Sequence, residues 1–95
     1  MSAYVVVDIQ IHDPHGYEEY KCLAAPSVAA FDGRYLARGG AVSELEGEWK
    51  CGRFVILEFP SAARAREWWS SDLYAPIKAI RHATARTKMI LVEGA

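Results

Sequence analysis

Tyr4-Val5-Val6-Val7-Asp8-Ile9-Gln10-Ile11, followed at once by Asp13-Pro14, is the stretch from which the fold can be read. The run is β-branched and apolar, with polar residues entering only at alternate positions, which predicts a strand. Asp13 then offers a side-chain cap and Pro14 a residue preset for the first helical position, while Glu18 and Glu19 are expected to favour the positive helix end. Tyr17, Tyr20, Leu23, Ala24, Val28 and Phe31 recur at spacings of three and four. That period predicts an amphipathic helix, bent or broken near Pro26 and ending at Asp32-Gly33.

Working outward, Arg34 to Arg38 predicts a second strand, interrupted by Gly39-Gly40 and resumed from Ala41 to Glu46, because paired glycines inside a strand mark a bulge or a close backbone approach. Such a bulge leaves the direction of Arg38 open by one position. Gly47 to Gly52 reads as a turn and Arg53 to Phe59 as a third strand. Pro60-Ser61 ends that strand and caps a second helix running through Ala65 and Trp69. Asp72 is expected to cap a further short helix carrying Tyr74, Ile77 and Ile80, with Pro76 inside its first turn. Arg86 to Glu93 closes the chain as a fourth strand. The order is β-α-β-β-α-β, an α+β arrangement with a four-stranded antiparallel sheet and its helices on one face.

That geometry leaves the other face of the sheet uncovered. Phe54-Val55-Ile56-Leu57 and Met89-Ile90-Leu91-Val92 nevertheless lack the polar side that a solvated antiparallel face shows. On the first strand, Val5, Val7, Ile9 and Ile11 fill one side, and Tyr4 and Val6 join Asp8 and Gln10 on the other. A second copy packed sheet on sheet covers such a face with no additional element, so a homodimer through the open sheet face is expected.

The chain has 95 residues, 52% of them hydrophobic and 24% charged, with a formal net charge of −1. This is the size of one domain, here 1–95, and excludes a two-domain enzyme with a separate cofactor lobe. Acidic and basic residues are interspersed and no positive stripe is present to follow a phosphate backbone, so no nucleic-acid partner is expected. Cys22 and Cys51 are too few for a disulfide framework or a four-ligand metal site. The N-terminus lacks a basic segment before an apolar run, and Cys22 to Phe31, interrupted by Pro26 and Ser27, is far too short to span a bilayer. A cytoplasmic protein without a membrane partner is expected.

At Asp13-Pro14, Tyr17, Tyr20, then Gly33-Arg34-Tyr35-Leu36-Ala37-Arg38-Gly39-Gly40, Leu45-Glu46-Gly47 and Glu58-Phe59-Pro60-Ser61, the sequence resembles short bacterial proteins of unknown function in the dimeric α/β-barrel, ferredoxin-like superfamily. The resemblance extends over nearly the whole chain, through Ser70 to Tyr74 and Val92-Glu93-Gly94. It implies a ferredoxin-like dimeric α/β barrel and no established substrate. Enzymes of that superfamily include cofactor-independent monooxygenases, haem-degrading monooxygenases and isomerases, with sites between the sheet and its helices or partner. The monooxygenases commonly use an asparagine together with a tryptophan and a histidine, and this chain contains no asparagine.

Among residues that carry chemistry, Arg38 beside Gly39 and Gly40 is the sharpest signal: an arginine next to bare backbone can fork onto a carboxylate or phenolate that comes close to the chain. Its structural alternative is an ion pair with Glu46 or the partner subunit. Asp8 and Glu58 lie on neighbouring strands, and two carboxylates sharing a dry site push one pKa upward, giving a general acid or base; otherwise they are ion-pair partners of Arg38 or Arg53. Tyr20 and Tyr74 offer hydroxyls to a substrate oxygen, Tyr20 also as a proton-transfer group. Trp68 and Trp69 are adjacent on a helix, so one is expected in the core and the other against a pocket or the partner. His12, His15 and His82 lack the spacing of a two-ligand metal site, and no metal or cofactor is expected. The leading expectation is therefore a homodimer binding a small aromatic or carboxylate ligand with Arg38, Gly39, Gly40, Trp68 and Tyr74. The alternatives are a cofactor-independent monooxygenase- or isomerase-like enzyme using Asp8, Glu58 or Tyr20, and a module whose dimer interface absorbs all these features.

Overall fold

In the computed structural model, which describes residues 1–95, the alternating run at the N-terminus becomes β1, Ala3–Ile11. Ala3, Val5, Val7 and Ile9 are buried on one side of it. The helix that follows, α1, spans Pro14–Ala30 with Pro14 in its first turn and Asp13 as its cap, the Gly16 N–H donating to Asp13 Oδ1 at 3.1 Å. Glu18 and Glu19 lie beyond that first turn, so the cap and not their charge satisfies the helix start. The helix runs unbroken past Pro26. It stops where Asp32 takes a left-handed conformation (φ 63°); the Asp32 N–H donates to the Ala29 carbonyl and the Gly33 N–H to that of Val28, a Schellman ending. A side chain at position 33 would collide with the Phe59 ring.

The remaining elements are β2 (Arg34–Arg38), β3 (Arg53–Phe59), α2 (Ala62–Ser70), α3 (Ala75–Thr84) and β4 (Ala85–Glu93). Ser61 caps α2, accepting from the Arg64 N–H at 3.1 Å. The third helix is not capped by Asp72: Ser71 Oγ accepts from the Tyr74 N–H, and Tyr74 occupies the cap position with no side-chain bond to the helix. The strands lie in the order β2-β3-β1-β4, every neighbouring pair antiparallel. This is the ferredoxin-like α+β fold, with a third short helix added before the last strand.

Two readings of the middle of the chain are corrected. Strand β2 ends at Arg38, and Gly39 to Gly52 form an exposed connection instead of a resumed strand; β3, its only neighbour, begins at Arg53 and offers nothing further to pair with. The bulge lies earlier, at Leu36, since Tyr35 pairs with Leu57 and Ala37 with Ile56. One extra residue there turns Tyr35 and Arg38 to the same side of the sheet.

That side is the helix face, where Val7, Ile9, Val55, Leu57 and Phe59 meet Tyr17, Tyr20, Val28, Trp68, Tyr74 and Ile77 in one core. The opposite face presents Val6, Ile56 and Ile90, paired across strands in one row. Ile90 is 63% exposed and Val92 47%. No helix is long and apolar enough to cross a membrane.

Candidate functional site

A small cavity of about 20 Å³, room for one water, lies between α1 and the β2–β3 half of the sheet. Its wall is apolar, built from Val7, Ile9, Val28, Val55, Leu57 and Trp68, and its polar lining is Tyr17, Tyr20, Lys21, Tyr35, Arg38 and Arg53. No carboxylate lines it. The bulge at Leu36 is what delivers Arg38 to this side, where its guanidinium lies 4.3 Å from the centre of the Tyr35 ring.

Arg53 arrives from the start of β3. Gly39 has φ +73°, so position 39 favours glycine for its backbone conformation, and a Cβ there would press on the end of the Arg53 guanidinium. The Gly39 N–H donates to the Phe54 carbonyl at 2.8 Å, fixing this approach. Arg53 Nε is buried with no acceptor. The four ion pairs of the chain use Lys21, Arg34 and Arg64, so neither Arg38 nor Arg53 has a carboxylate partner.

Tyr17 and Tyr35 lie beside these cations, and Tyr20 lines the same cavity. Burial pushes the pKa of Tyr17 upward, partly offset by the neighbouring Arg53. Burial does the same for Tyr35, offset by Arg38. For Tyr20 burial and then Tyr74 raise it far above the usual phenol range, and the two hydroxyls share a hydrogen bond of 2.8 Å in the core. The phenols therefore keep their protons.

A pH dependence follows from these shifts. The unfolded chain ionises its tyrosines near the ordinary value of 10.0, whereas the folded chain holds the three protons to higher pH. Their contribution to stability is fully present below about pH 10 and is lost as pH rises through the folded values. Urea midpoints measured from neutral pH upward are expected to stay level on this account and then fall steeply above about pH 10. Tyr20→Phe should make that fall shallower.

The remaining residues singled out by sequence are placed as follows. Trp68 is 1% exposed, stacked between Phe59 and Tyr74 at centroid distances of 5.4 and 4.2 Å, and donates through Nε1 to Ser27 Oγ; it lines the cavity from the core. Trp69 faces outward, with Lys78 Nζ 3.4 Å from its ring centre. Tyr74 is fully buried and does not line the cavity. Gly40 has open space around it.

Asp8 and Glu58 are not brought together. They share the open face, but Asp8 pairs with Phe54 and Glu58 with Tyr4, four residues apart along β3 or about 13 Å. Asp8 fastens the Gly39–Gly52 connection, accepting from the Gly52 N–H at 2.9 Å and from Trp49 Nε1 at 3.1 Å. Glu58 is bound by Arg34 at 2.6 Å, and the guanidinium holds its pKa below the usual carboxylate range. In the last turn of α3, desolvation, Arg81 and Lys78 lower the pKa of His82 and favour the neutral ring.

Arg53, Tyr17, Tyr35 and Lys21 are polar members of the cavity that sequence reasoning did not select as site residues. Gly39, which sequence reasoning did select, lies against the Arg53 guanidinium.

A family model described as "Domain of unknown function (DUF1330)" matches residues 2–95. No curated protein matches the chain. Among solved structures, the RPA0582 protein of unknown function from Rhodopseudomonas palustris superposes with a TM-score of 0.77 at 17% identity, over 99% of this chain and 82% of that one. A dimeric ferredoxin-like protein of unknown function from Jannaschia sp. CCS1 gives 0.72 at 11% identity, over 99% and 100%. SnoaB, a cofactor-independent oxygenase from Streptomyces nogalater, gives 0.62 at 13% identity, over 99% and 93%. At these identities the likeness establishes the fold.

Proposed function

The chain belongs to the family described as Domain of unknown function (DUF1330), and from its own residues we propose that it is a homodimer binding a small aromatic carboxylate or phenolate in the cavity beneath α1. The observation that carries this reading is the convergence of Arg38 and Arg53, neither with a carboxylate partner, on a cavity lined by tyrosines and no acid. The Arg53 guanidinium, half-buried and with its Nε lacking an acceptor, is unfavourable as it stands, and a bound anion removes that penalty while accepting hydrogen bonds from it and from the exposed Arg38 fork. Tyr17 and Tyr35 keep their protons and add donors to the same anion.

The enclosed space holds only the anionic group or a water. The ring of a ligand enters by displacing the Lys21 and Arg38 side chains at the rim, of which Arg38 is exposed and Lys21 half-buried. Two observations support a second copy on the open sheet face: its apolar row of Val6, Ile56 and Ile90, and the likeness to a ferredoxin-like protein described as dimeric.

Titration of the isotope-labelled protein with 4-hydroxybenzoate, followed by backbone amide shifts, tests the site. Saturable shifts are expected at Tyr35, Gly39 and Arg53, with affinity reduced about tenfold or more in Arg38→Gln and further in the Arg38→Gln, Arg53→Gln pair. Absence of saturable shifts at millimolar ligand, or undiminished binding by the pair variant, contradicts the reading.

A further inference from the structure

A second concavity lies on the far side of Trp68 and Met89, which line both spaces and separate them. This groove, about 810 Å³, opens between α2, α3 and the edge strand β4, and its size falls in the range of small-molecule sites. Val5, Met89 and Leu91 form an apolar floor, Trp68 and Trp69 stand at its side, and Arg66, Arg81 and His82 supply its ionisable groups. No acidic residue lines it.

Arg81 sets this groove apart. It is 2% exposed, as buried as the core tyrosines, yet takes part in no ion pair. Its Nη1 donates to Thr87 Oγ1, and its Nε is buried with no acceptor. The Tyr20 ring lies 6.0 Å from the guanidinium carbon, a distance at which a π face gives only weak compensation. Removing a guanidinium from water without a counter-charge costs several kcal/mol. The C-terminal end of α3, in whose last turn Arg81 lies, offsets part of this cost, and no anionic side chain of the chain supplies the rest.

We propose that the groove is a second binding site, separate from the cavity at Arg38 and Arg53, for an amphipathic organic monocarboxylate. The carboxylate takes the Arg81 donors that Thr87 leaves free, with Arg66 at the exposed rim. The apolar body lies along Met89 and Leu91 beside the two tryptophans. The aliphatic floor and the open length of the groove favour a flexible acyl chain here, in contrast to the tyrosine-lined first cavity.

Octanoate and its neutral counterpart octanamide, added to the protein, test the site, read by tryptophan fluorescence and by backbone amide shifts. Octanoate is expected to bind saturably with shifts centred on Thr87 and Leu91, and octanamide roughly tenfold more weakly or less. Arg81→Met should lower octanoate affinity about tenfold or more, and Arg66→Gln, at an exposed position that does not affect folding, about twofold to threefold. If Arg81→Met does not fold, Arg81→Lys keeps the charge, loses the planar fork, and should weaken octanoate while sparing octanamide. The Arg38→Gln, Arg53→Gln pair, which disables the first cavity, should leave octanoate binding within about twofold. Equal affinity for acid and amide, no saturable binding at millimolar octanoate, or shifts confined to Tyr35, Gly39 and Arg53 and abolished by that pair, would each overturn the second site; the first cavity stands or falls separately, on 4-hydroxybenzoate binding.

Discussion

Replacing Trp68 with alanine is expected to destabilise the chain by about 3–5 kcal/mol, enough to remove much of the stability of a domain this small. The indole is 1% exposed and sits between Phe59 and Tyr74, so its loss opens a hole under α2 that rigid neighbours on β3 and α3 can only partly fill. Its Nε1–H also satisfies Ser27 Oγ, which is left with only its own bond to the Ala24 carbonyl. Trp69→Ala, one position along the same helix, removes an exposed ring stacked under Lys78 and should cost about 1 kcal/mol or less. Urea unfolding of the two variants in parallel reads the contrast directly. Similar losses in both would mean that Trp68 is not the buried member of the pair.

The second large effect concerns the open face. Val6 pairs with Ile56 on one side and Ile90 on the other, forming an apolar row at the centre of a sheet that no element of the chain covers. Val6→Lys together with Ile56→Lys places two charges in that row on each copy. A twofold interface counts each substitution twice, and at about 1.5–3 kcal/mol per apolar side chain the loss exceeds roughly 6 kcal/mol, or four powers of ten in dimer affinity. Sedimentation equilibrium is expected to show a dimer for the parent chain and a monomer for the double variant. The monomer should retain its helix signal, because the substituted positions lie opposite the core. A double variant that remains dimeric would locate the interface elsewhere.

Much of the architecture was legible because local rules and tertiary packing agree. Asp13-Pro14 and Ser61 carry their caps in the sequence, and the alternation in β1 names its buried side one residue at a time. The failures occur where pairing partners decide. Ala41 to Glu46 has the composition of a strand but no free edge to join, and nothing local in Arg34–Arg38 shows that Leu36 is the extra residue, since that register is set by β3. Asp72 is a good cap by type, but Ser71 already binds the Tyr74 N–H.

The site was legible in part for the same reason. Arg38 and Trp68 were singled out by residue type and neighbours and do line one cavity. Arg53 and Arg81 were passed over because an arginine at a strand start or near a helix end is ordinarily solvated. Their significance lies in buried nitrogens without acceptors, which exist only once Gly39, α3 and β4 are in place. Asp8 and Glu58 were overvalued because neighbouring strands do not imply neighbouring residues; the register separates them by four positions.

The central proposal, a homodimer whose subunits each hold an organic anion against Arg38 and Arg53, is tested most directly by native mass spectrometry in the presence of millimolar 4-hydroxybenzoate. The expected spectrum is a dimer carrying one adduct per subunit, with the adducts lost and the dimer kept in the Arg38→Gln, Arg53→Gln variant. A monomer mass for the parent chain, or adducts undiminished in that variant, would contradict it.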